Sequence, residues 1–450
     1  MAQGSGLTRG DRNRNRKIGA LREVVRADRG VLAVDLGEDK QVAVVIGHDG
    51  RVLGRKVVKA KAHRLGGLVE WGAGVAGRAG LGGLVVACEP TGHRWKALMG
   101  LADAAGHGFC CVQPLAVHRA REGDDYTRDK TDHRDAYLIG KLAVRLDCYL
   151  PERADEQWAR LRHLGARRSG LAADVVACMQ QAGDLLGCAW PAPLSACKRP
   201  LESVTWLAAM AVVTGRCCGD PRRVRKAGYG KFLAAVRREL PRWGGKRACH
   251  AVVRALWQAL ADEGGVAAQR PGALERLGLL LEDWRDLRGR LASAEERMTA
   301  VLEDLGLAGL VASIPGVSAL AGAMILAESG DPRRFSSARA LVKHAGLNPS
   351  ERTSATINGQ SRVSRRGRPG LRAAAWRAAW GAMPHNHVLR ARHARLTGRD
   401  KGALAGGQAR VACAATLLRW IWAVTTTGQP WDARIAAGEG ARGTAALAAA

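Results

Sequence analysis

Cysteine occurs eleven times in this 450-residue chain, yet no C-x-x-C pair is present. The number is odd and the positions are scattered, with only Cys110-Cys111 and Cys217-Cys218 adjacent. Neither a zinc site nor a disulfide framework is therefore expected. Reduced thiols in a cytoplasmic protein are the default reading. Long apolar runs are also missing. Met1 to Lys17 is polar and Arg-rich, without the apolar stretch that marks a secretory signal, so none is expected. The most apolar late run, Val411 to Thr427, is broken by Arg419 and is too short to span a membrane. Acids are the third shortage: 41 Asp and Glu face 70 Lys and Arg, leaving a formal charge of +29. That excess points to a polyanionic partner, nucleic acid first. Only 14 of the bases are Lys. Arg suits bidentate phosphate and guanine contacts.

The scarce acids are placed with regularity. Val31 to Gly37 reads as a buried strand that carries Asp35 near its end. Gln41 to Gly47 and Arg51 to Val58 read as two more strands, joined by the turn His48-Asp49-Gly50, so the chain opens with an antiparallel meander. Leu65 to Ala79 has helical spacing. Gly83 to Cys88 is a continuous apolar run, hence a central strand, and Glu89 follows it. His93 to Ala105 reads as a helix and Phe109 to Gln113 as a strand. The charged stretch through Arg119, Arg121, Asp124, Asp125 and Arg128 reads as a loop.

Lys130-Thr131-Asp132-His133-Arg134-Asp135-Ala136 then opens a helix, with Thr131 or Asp132 near the N-cap. Asp132 and Asp135 share one helix face. A pair of like charges held so close suits a divalent cation, although first-turn acids also gain from the helix dipole. In an α/β sheet the strand ends gather at one edge, where ligands bind. Asp35, Glu89, Asp132 and Asp135 converging there would hold two hard divalent ions, about 3.5–4 Å apart in phosphoryl-transfer sites. Glu38, Asp39, Asp124, Asp125 and Asp129 do not fit that pattern.

Residues 151–305 read as mostly helical. Two long helices, Glu156 to Gly187 and Leu274 to Leu305, bracket a partly helical insert from Glu202 to Ala261, as a coiled-coil arm or an ordinary helical domain would. Ile314-Pro315-Gly316-Val317 separates two apolar segments, in the manner of a helix-hairpin-helix or of a tight helical corner. Phe335 to Ala345 reads as a further helix. From Arg352 to Arg399 there are 11 Arg and no acid, the composition of a nucleic-acid surface. Trp376, Trp380, Trp420 and Trp422 are expected in the core of the following helices.

The segments VDLGEDKQ, ACEPTGHRW and RDKTDHRDAYLIGKL resemble the N-terminal domain of the DEDD transposases of bacterial insertion elements, relatives of the Piv and MooV invertases. IPGVSALAGAMILAESGDPRRFSSARALVKHAGLNPSERTSA and RVSRRGRPGLR resemble the C-terminal transposase domain of that family. The resemblance covers about two-thirds of the chain and leaves out residues 200–265. It implies an α/β RNase H-like, RuvC-like catalytic domain over 30–150, a helical coiled-coil region over 151–305 and a mainly α C-terminal domain over 306–430. A basic flexible N-terminus over 1–29 and a flexible tail over 431–450 would flank them.

By the same resemblance the quartet is Asp35, Glu89, Asp132 and Asp135, holding two Mg2+ ions, with Mn2+ as a substitute. A nucleophilic serine falls on Ser354, with Thr353 and Ser361 as alternatives. The family's Gly after that serine is here Ala355, and its later Ser-Lys pair is Ser364-Arg365. Arg362, Arg365, Arg366, Arg368 and Arg372 would contact nucleic acid. The implied partners are donor and target double-stranded DNA, an element-encoded guide RNA, and further copies of the chain in a homodimer or homotetramer. The implied location is cytoplasmic, on the nucleoid when bound to DNA. Two other readings of the residues stand beside this one. A junction resolvase-like nuclease would use water and the four acids alone, and a non-catalytic nucleic-acid-binding protein would use them structurally.

Overall fold

The computed structural model describes residues 6–125, 131–153, 155–217, 220–350, 353–354, 357–358 and 362–438. Residues 1–153 and 154–450 form two compact units, each considered on its own.

The first unit begins with α1 (Arg9–Val24), then β1 (Gly30–Leu36), β2 (Lys40–Ile46), β3 (Val52–Lys59), α2 (Ala62–Arg78), β4 (Leu84–Cys88), α3 (Arg94–Ala104), β5 (Gly108–Cys111), α4 (Pro114–Asp125) and α5 (Asp132–Val144). The five strands form one mixed sheet in the order β3-β2-β1-β4-β5. β1 to β3 are antiparallel, as the meander predicted, while β4 and β5 run parallel to β1. The mixed sheet clad by helices is consistent with an RNase H-like domain.

Alternation along the strands builds two cores. Val31, Ala33, Val42, Val44 and Val85 face α1, α4 and α5 through Leu21, Val117 and Ile139. Leu32, Val34, Ala43, Val45 and Val86 face α2 and α3 through Leu65, Leu68 and Leu98. Burial on both faces is why β4 reads as an unbroken apolar run and β1 as one broken only by Asp35 near its end. α5 lies flat on the sheet because Gly140 has no side chain. A Cβ there would meet Ile46 Cδ1 at 2.8 Å and Ala33 Cβ at 3.2 Å.

Two expectations fail in this unit. The N-terminal stretch read as flexible contains α1, started by a reciprocal cap. The Thr8 hydroxyl accepts from the Asp11 N–H at 3.2 Å, and the Asp11 carboxylate accepts from the Thr8 N–H at 3.1 Å. Leu21 and Val25 then bury the far end of α1 against the sheet. The charged stretch read as a loop is α4, started by Pro114 at a position where its missing N–H costs nothing. Its apolar residues, Ala116, Val117 and Ala120, recur at helical spacing, and Arg128, read as part of the same loop, lies outside the described residues. The charge run masked that short stripe.

The second unit holds α6 (Glu156–Ala189), α7 (Val204–Cys217), α8 (Pro221–Lys226), α9 (Tyr229–Glu239), α10 (His250–Ala259), α11 (Arg270–Asp304), α12 (Ala308–Ala312), α13 (Ala319–Ser329) and α14 (Ala338–His344). After them come β6 (Pro349–Ser350), β7 (Thr353–Ser354), β8 (Ile357–Asn358), β9 (Arg362–Val363), α15 (Pro369–Ala382), α16 (His387–Thr397), α17 (Gly406–Thr427) and α18 (Ala433–Ala437). α6 and α11 are the two long helices expected, and they run antiparallel. Arg160 pairs with Asp304 at 3.7 Å, Arg168 with Glu295 at 2.9 Å, and Arg276 donates to Gln181 at 2.8 Å, in step along the pair. At one end of the pair the insert folds as α7 to α10 around Trp190, Trp206 and Phe232, more helical than its turn residues predicted. At the other end Trp158, Leu161, Met298 and Leu302 enter a core shared with α12 to α17.

In the turn between α12 and α13, Gly316 has φ of 80°, and a Cβ there would meet Ala382 Cα at 2.7 Å. The turn thus closes against the end of α15, the arrangement of a tight helical corner. Trp420 is buried and Trp422 is partly buried against the same core. Trp376 and Trp380 overturn their expectation: they are exposed. Ala374, Ala375, Ala378, Ala379 and Ala382 line the buried face of α15 and leave no room there for an indole. The tail read as flexible from residue 431 begins with ordered packing. Trp431 meets Trp420 edge to face and α18 follows, while residues 439–450 lie outside the described residues. No described helix is long and apolar enough to cross a membrane.

Candidate active site

The acid-bearing edge is built by strand register. Val34 of β1 pairs with Cys88 of β4, so Asp35 and Glu89 come next on neighbouring parallel strands, at the same end of the sheet. Both are partly buried. A hydrogen bond with the neighbouring Cys111 thiol, together with burial, pushes the Cys88 thiol well above its ordinary value. Cys88 is therefore protonated filler beneath the edge and not a nucleophile.

α5 brings the remaining acids. Thr131 is its N-cap, and its hydroxyl accepts from the Arg134 N–H at 3.3 Å. Asp132 and Asp135 stand in the first turn, where the unpaired amides favour negative charge. The two have different partners. Lys40, the first residue of β2, reaches Asp132 with its Nζ at 2.9 Å. Lys40 follows closely on the end of β1, so this contact ties Asp132 to the edge that carries Asp35. Asp135 is 6% exposed, and both its oxygens accept from Arg121 of α4, from Nε at 2.9 Å and from Nη2 at 2.8 Å. Arg94, the first residue of α3, donates to the carbonyl of Gly37 and fastens the turn after β1.

Lys40, Arg94 and Arg121 were not singled out from the sequence. Arg121 was visible only as one base in a mixed charge run. Its signal is its place on α4 beside Val117 and Ala120, which a helical reading of that run would have exposed.

Carboxylate oxygens at a strand edge are the donors that a hard divalent cation takes. In kind and in register Asp35 and Glu89 suit such an ion, and Asp132 suits it in kind. Asp135 has its oxygens on Arg121. Among the described residues, no three His, Cys, Asp or Glu side chains stand close enough to hold a metal. Asp129 lies outside the described residues.

The second candidate region follows α14. Gly346, with φ of 68°, turns the chain against the backbone of Arg365 and Arg366. β6 and β9 pair there, Pro349 with Val363 and Ser350 with Arg362. Ser364 locks the base of this ladder, its hydroxyl donating to Asn348 Oδ1 at 2.8 Å. In a separate two-stranded ladder β7 pairs with β8, Thr353 with Asn358 and Ser354 with Ile357. Ser354 and its alternative Thr353 are therefore adjacent on one hairpin strand. Ser361 and Ala355 lie outside the described residues.

The five Arg residues expected at nucleic acid divide. Arg362, Arg365 and Arg366 are exposed. Arg368 pairs with Glu328 at 3.3 Å, and Arg372 donates to the Ala345 carbonyl at 3.0 Å. Burial, with Arg334, Arg368 and Arg162 nearby, pushes His344 down to about 4, so it is neutral at pH 7.

Comparison with known proteins agrees with both regions. Residues 32–191 match the family of DEDD transposases of the IS110 type, described as transposase, and residues 308–394 match the transposase IS116/IS110/IS902 family. The 42 kDa protein of insertion element IS900 from Mycobacterium paratuberculosis is 29% identical over 74% of this chain and 80% of its own length. The 43.6 kDa protein of insertion element IS110 from Streptomyces coelicolor is 26% identical over 75% of this chain and 80% of its own. Both matches are to transposases of the IS110 type and together they take in more than half of the chain, which belongs to the DEDD transposase family and is a DNA transposase.

Proposed function

We propose that the chain cleaves and rejoins DNA through a covalent serine intermediate, with Asp35, Glu89, Asp132 and Asp135 holding Mg2+. The register of Asp35 beside Glu89, with Asp132 tied to the same edge by Lys40, carries the metal part of this reading. Bound there, Mg2+ supplies positive charge to the scissile phosphate and to the leaving oxygen. The carboxylates bind and orient it, and the strand ends fix two of them rigidly.

Ser354 attacks the phosphorus, forming a Ser–O–P ester as the P–O bond to one deoxyribose breaks. The serine gives up its proton and the leaving deoxyribose oxygen takes one up. Attack by a DNA hydroxyl on the phosphoserine reverses the exchange and needs no ATP. Exposed Arg362, Arg365 and Arg366 beside the hairpin position the DNA backbone. In keeping with the family resemblance, an element-encoded RNA would select donor and target sites, and the α6/α11 helix pair would join copies of the chain.

The deciding experiment is denaturing electrophoresis of labelled DNA after reaction. Wild type gives a protein-linked band and Ser354→Ala gives none, with DNA binding retained. A band that persists in Ser354→Ala removes this serine from the chemistry, and one lost only in Ser361→Ala moves the role there.

A further inference from the structure

Of the thirteen tryptophans, Trp376 and Trp380 alone are exposed, at 40% and 49%. They stand one turn apart on the outer face of α15, opposite its buried alanines. Their rings are stacked, with centroids 5.6 Å apart and planes 25° from parallel. Arg410 of α17 lays its guanidinium over Trp380, 3.8 Å from the ring centroid. Arg377 stands exposed between the two indoles in sequence. All of α15 lies in the stretch from 352 to 399 that contains no acid.

We propose that Trp376 and Trp380 form a stacking platform for the unpaired bases of single-stranded nucleic acid, with Arg377 and Arg410 taking the adjoining phosphates. Large indole faces turned to solvent contribute little to the fold but match the π-face of any base. Only an unpaired base offers that face, since duplex bases are stacked on one another. The charge around the platform selects the occupant. A second copy docking here by two-fold symmetry would set this Arg-rich face against itself, and like charges would oppose the contact. A polyanion meets no such cost. The proposal rests on the chain's handling of nucleic acid but needs neither the metal site nor Ser354.

The test uses fluorescence anisotropy of labelled oligothymidylate, of its RNA counterpart and of a duplex of equal length, with the full chain at fixed salt. Trp376→Ala/Trp380→Ala weakens single-strand binding by about tenfold or more while duplex binding changes less than about twofold. Trp376→Phe/Trp380→Phe keeps most of the single-strand affinity, because a ring remains. A loss confined to DNA or to RNA identifies the strand type that the platform serves. Unchanged single-strand binding, or an equal loss for the duplex, overturns the proposal. So does a double variant that alters only the sedimentation of the free protein, since the face would then join copies of the chain. Failure of wild type to bind any of the probes would instead count against nucleic-acid handling itself. Photocrosslinking of wild type to iodouracil-containing strands, mapped by mass spectrometry, is independent of the variants' folding. It places the crosslink at Trp376 or Trp380, and a crosslink found only elsewhere overturns the assignment.

Discussion

The acid edge of the first unit and the Arg-rich stretch of the second treat charge in opposite ways. In the first unit Asp35 and Glu89 are partly buried and Asp135 is buried with Arg121 against it, while the half-exposed Asp132 has the equally exposed Lys40. In the stretch from 352 to 399, Arg362, Arg365 and Arg366 are exposed, with no acid in the surrounding sequence. Burial explains the difference. A charge taken out of water is costly unless it is paired, whereas an exposed one needs no partner and stays available to a ligand. The exceptions obey the same rule: Arg368 and Arg372, which are partly buried, have an acid and a carbonyl against them.

The sharpest way to break this contrast is at the edge. Asp132→Asn or Asp135→Asn is expected to lower DNA cleavage by about a hundredfold or more, since charge stabilisation at the reacting phosphate is lost. DNA binding should persist, as read by gel shift beside the cleavage assay. Near-normal cleavage by either variant would take that carboxylate out of the mechanism.

For the Arg-rich stretch, the expectation is a steep fall of duplex affinity with salt. Between 50 and 200 mM it amounts to about a thousandfold for roughly six phosphate contacts. Arg366→Ala should make the log–log slope shallower by about 0.9, one phosphate's worth. A flat plot for wild type would mean that this surface does not track a phosphate backbone.

Stability separates the two acids of α5. Arg121→Met leaves the Asp135 carboxylate buried without its base and is expected to cost about 3–5 kcal/mol. Lys40→Met should cost less than about 1 kcal/mol, because Lys40 and Asp132 are solvated. Urea unfolding of the full chain checks both. Equal midpoint shifts would show that burial is not what distinguishes the pairs.

The smallest effect is in pH. His344 has its folded value lowered to about 4, below its unfolded value near 6.5. The unfolded chain therefore takes up the proton first. The contribution of the neutral imidazole is complete above pH 6.5 and is lost as pH falls toward 4. His344→Gln should flatten the decline of melting temperature between pH 7 and 5, and a decline as steep as that of wild type would remove His344 from the account.

Much of this was legible along the chain. Val31 to Val34 and Gly83 to Cys88 are apolar without interruption, as strands buried on both faces require. Thr131 before Asp132 announces a helix start, and two acids three apart must share its face. These are local properties, set by periodicity and capping, and they determined the strands, the helix α5 and the sheet end that carries Asp35 and Glu89.

Pairing across distance was not legible. Arg121 became the partner of Asp135 only when α4 formed and packed on α5, because a charge run carries no sign of which base will be buried. Trp376 and Trp380 have the same spacing as core residues, and only the close packing of alanines on the other face of α15 turned them outward. The quartet's partners and the exposed indoles were decided by which surfaces the folded helices left room for, a volume constraint that no local pattern encodes.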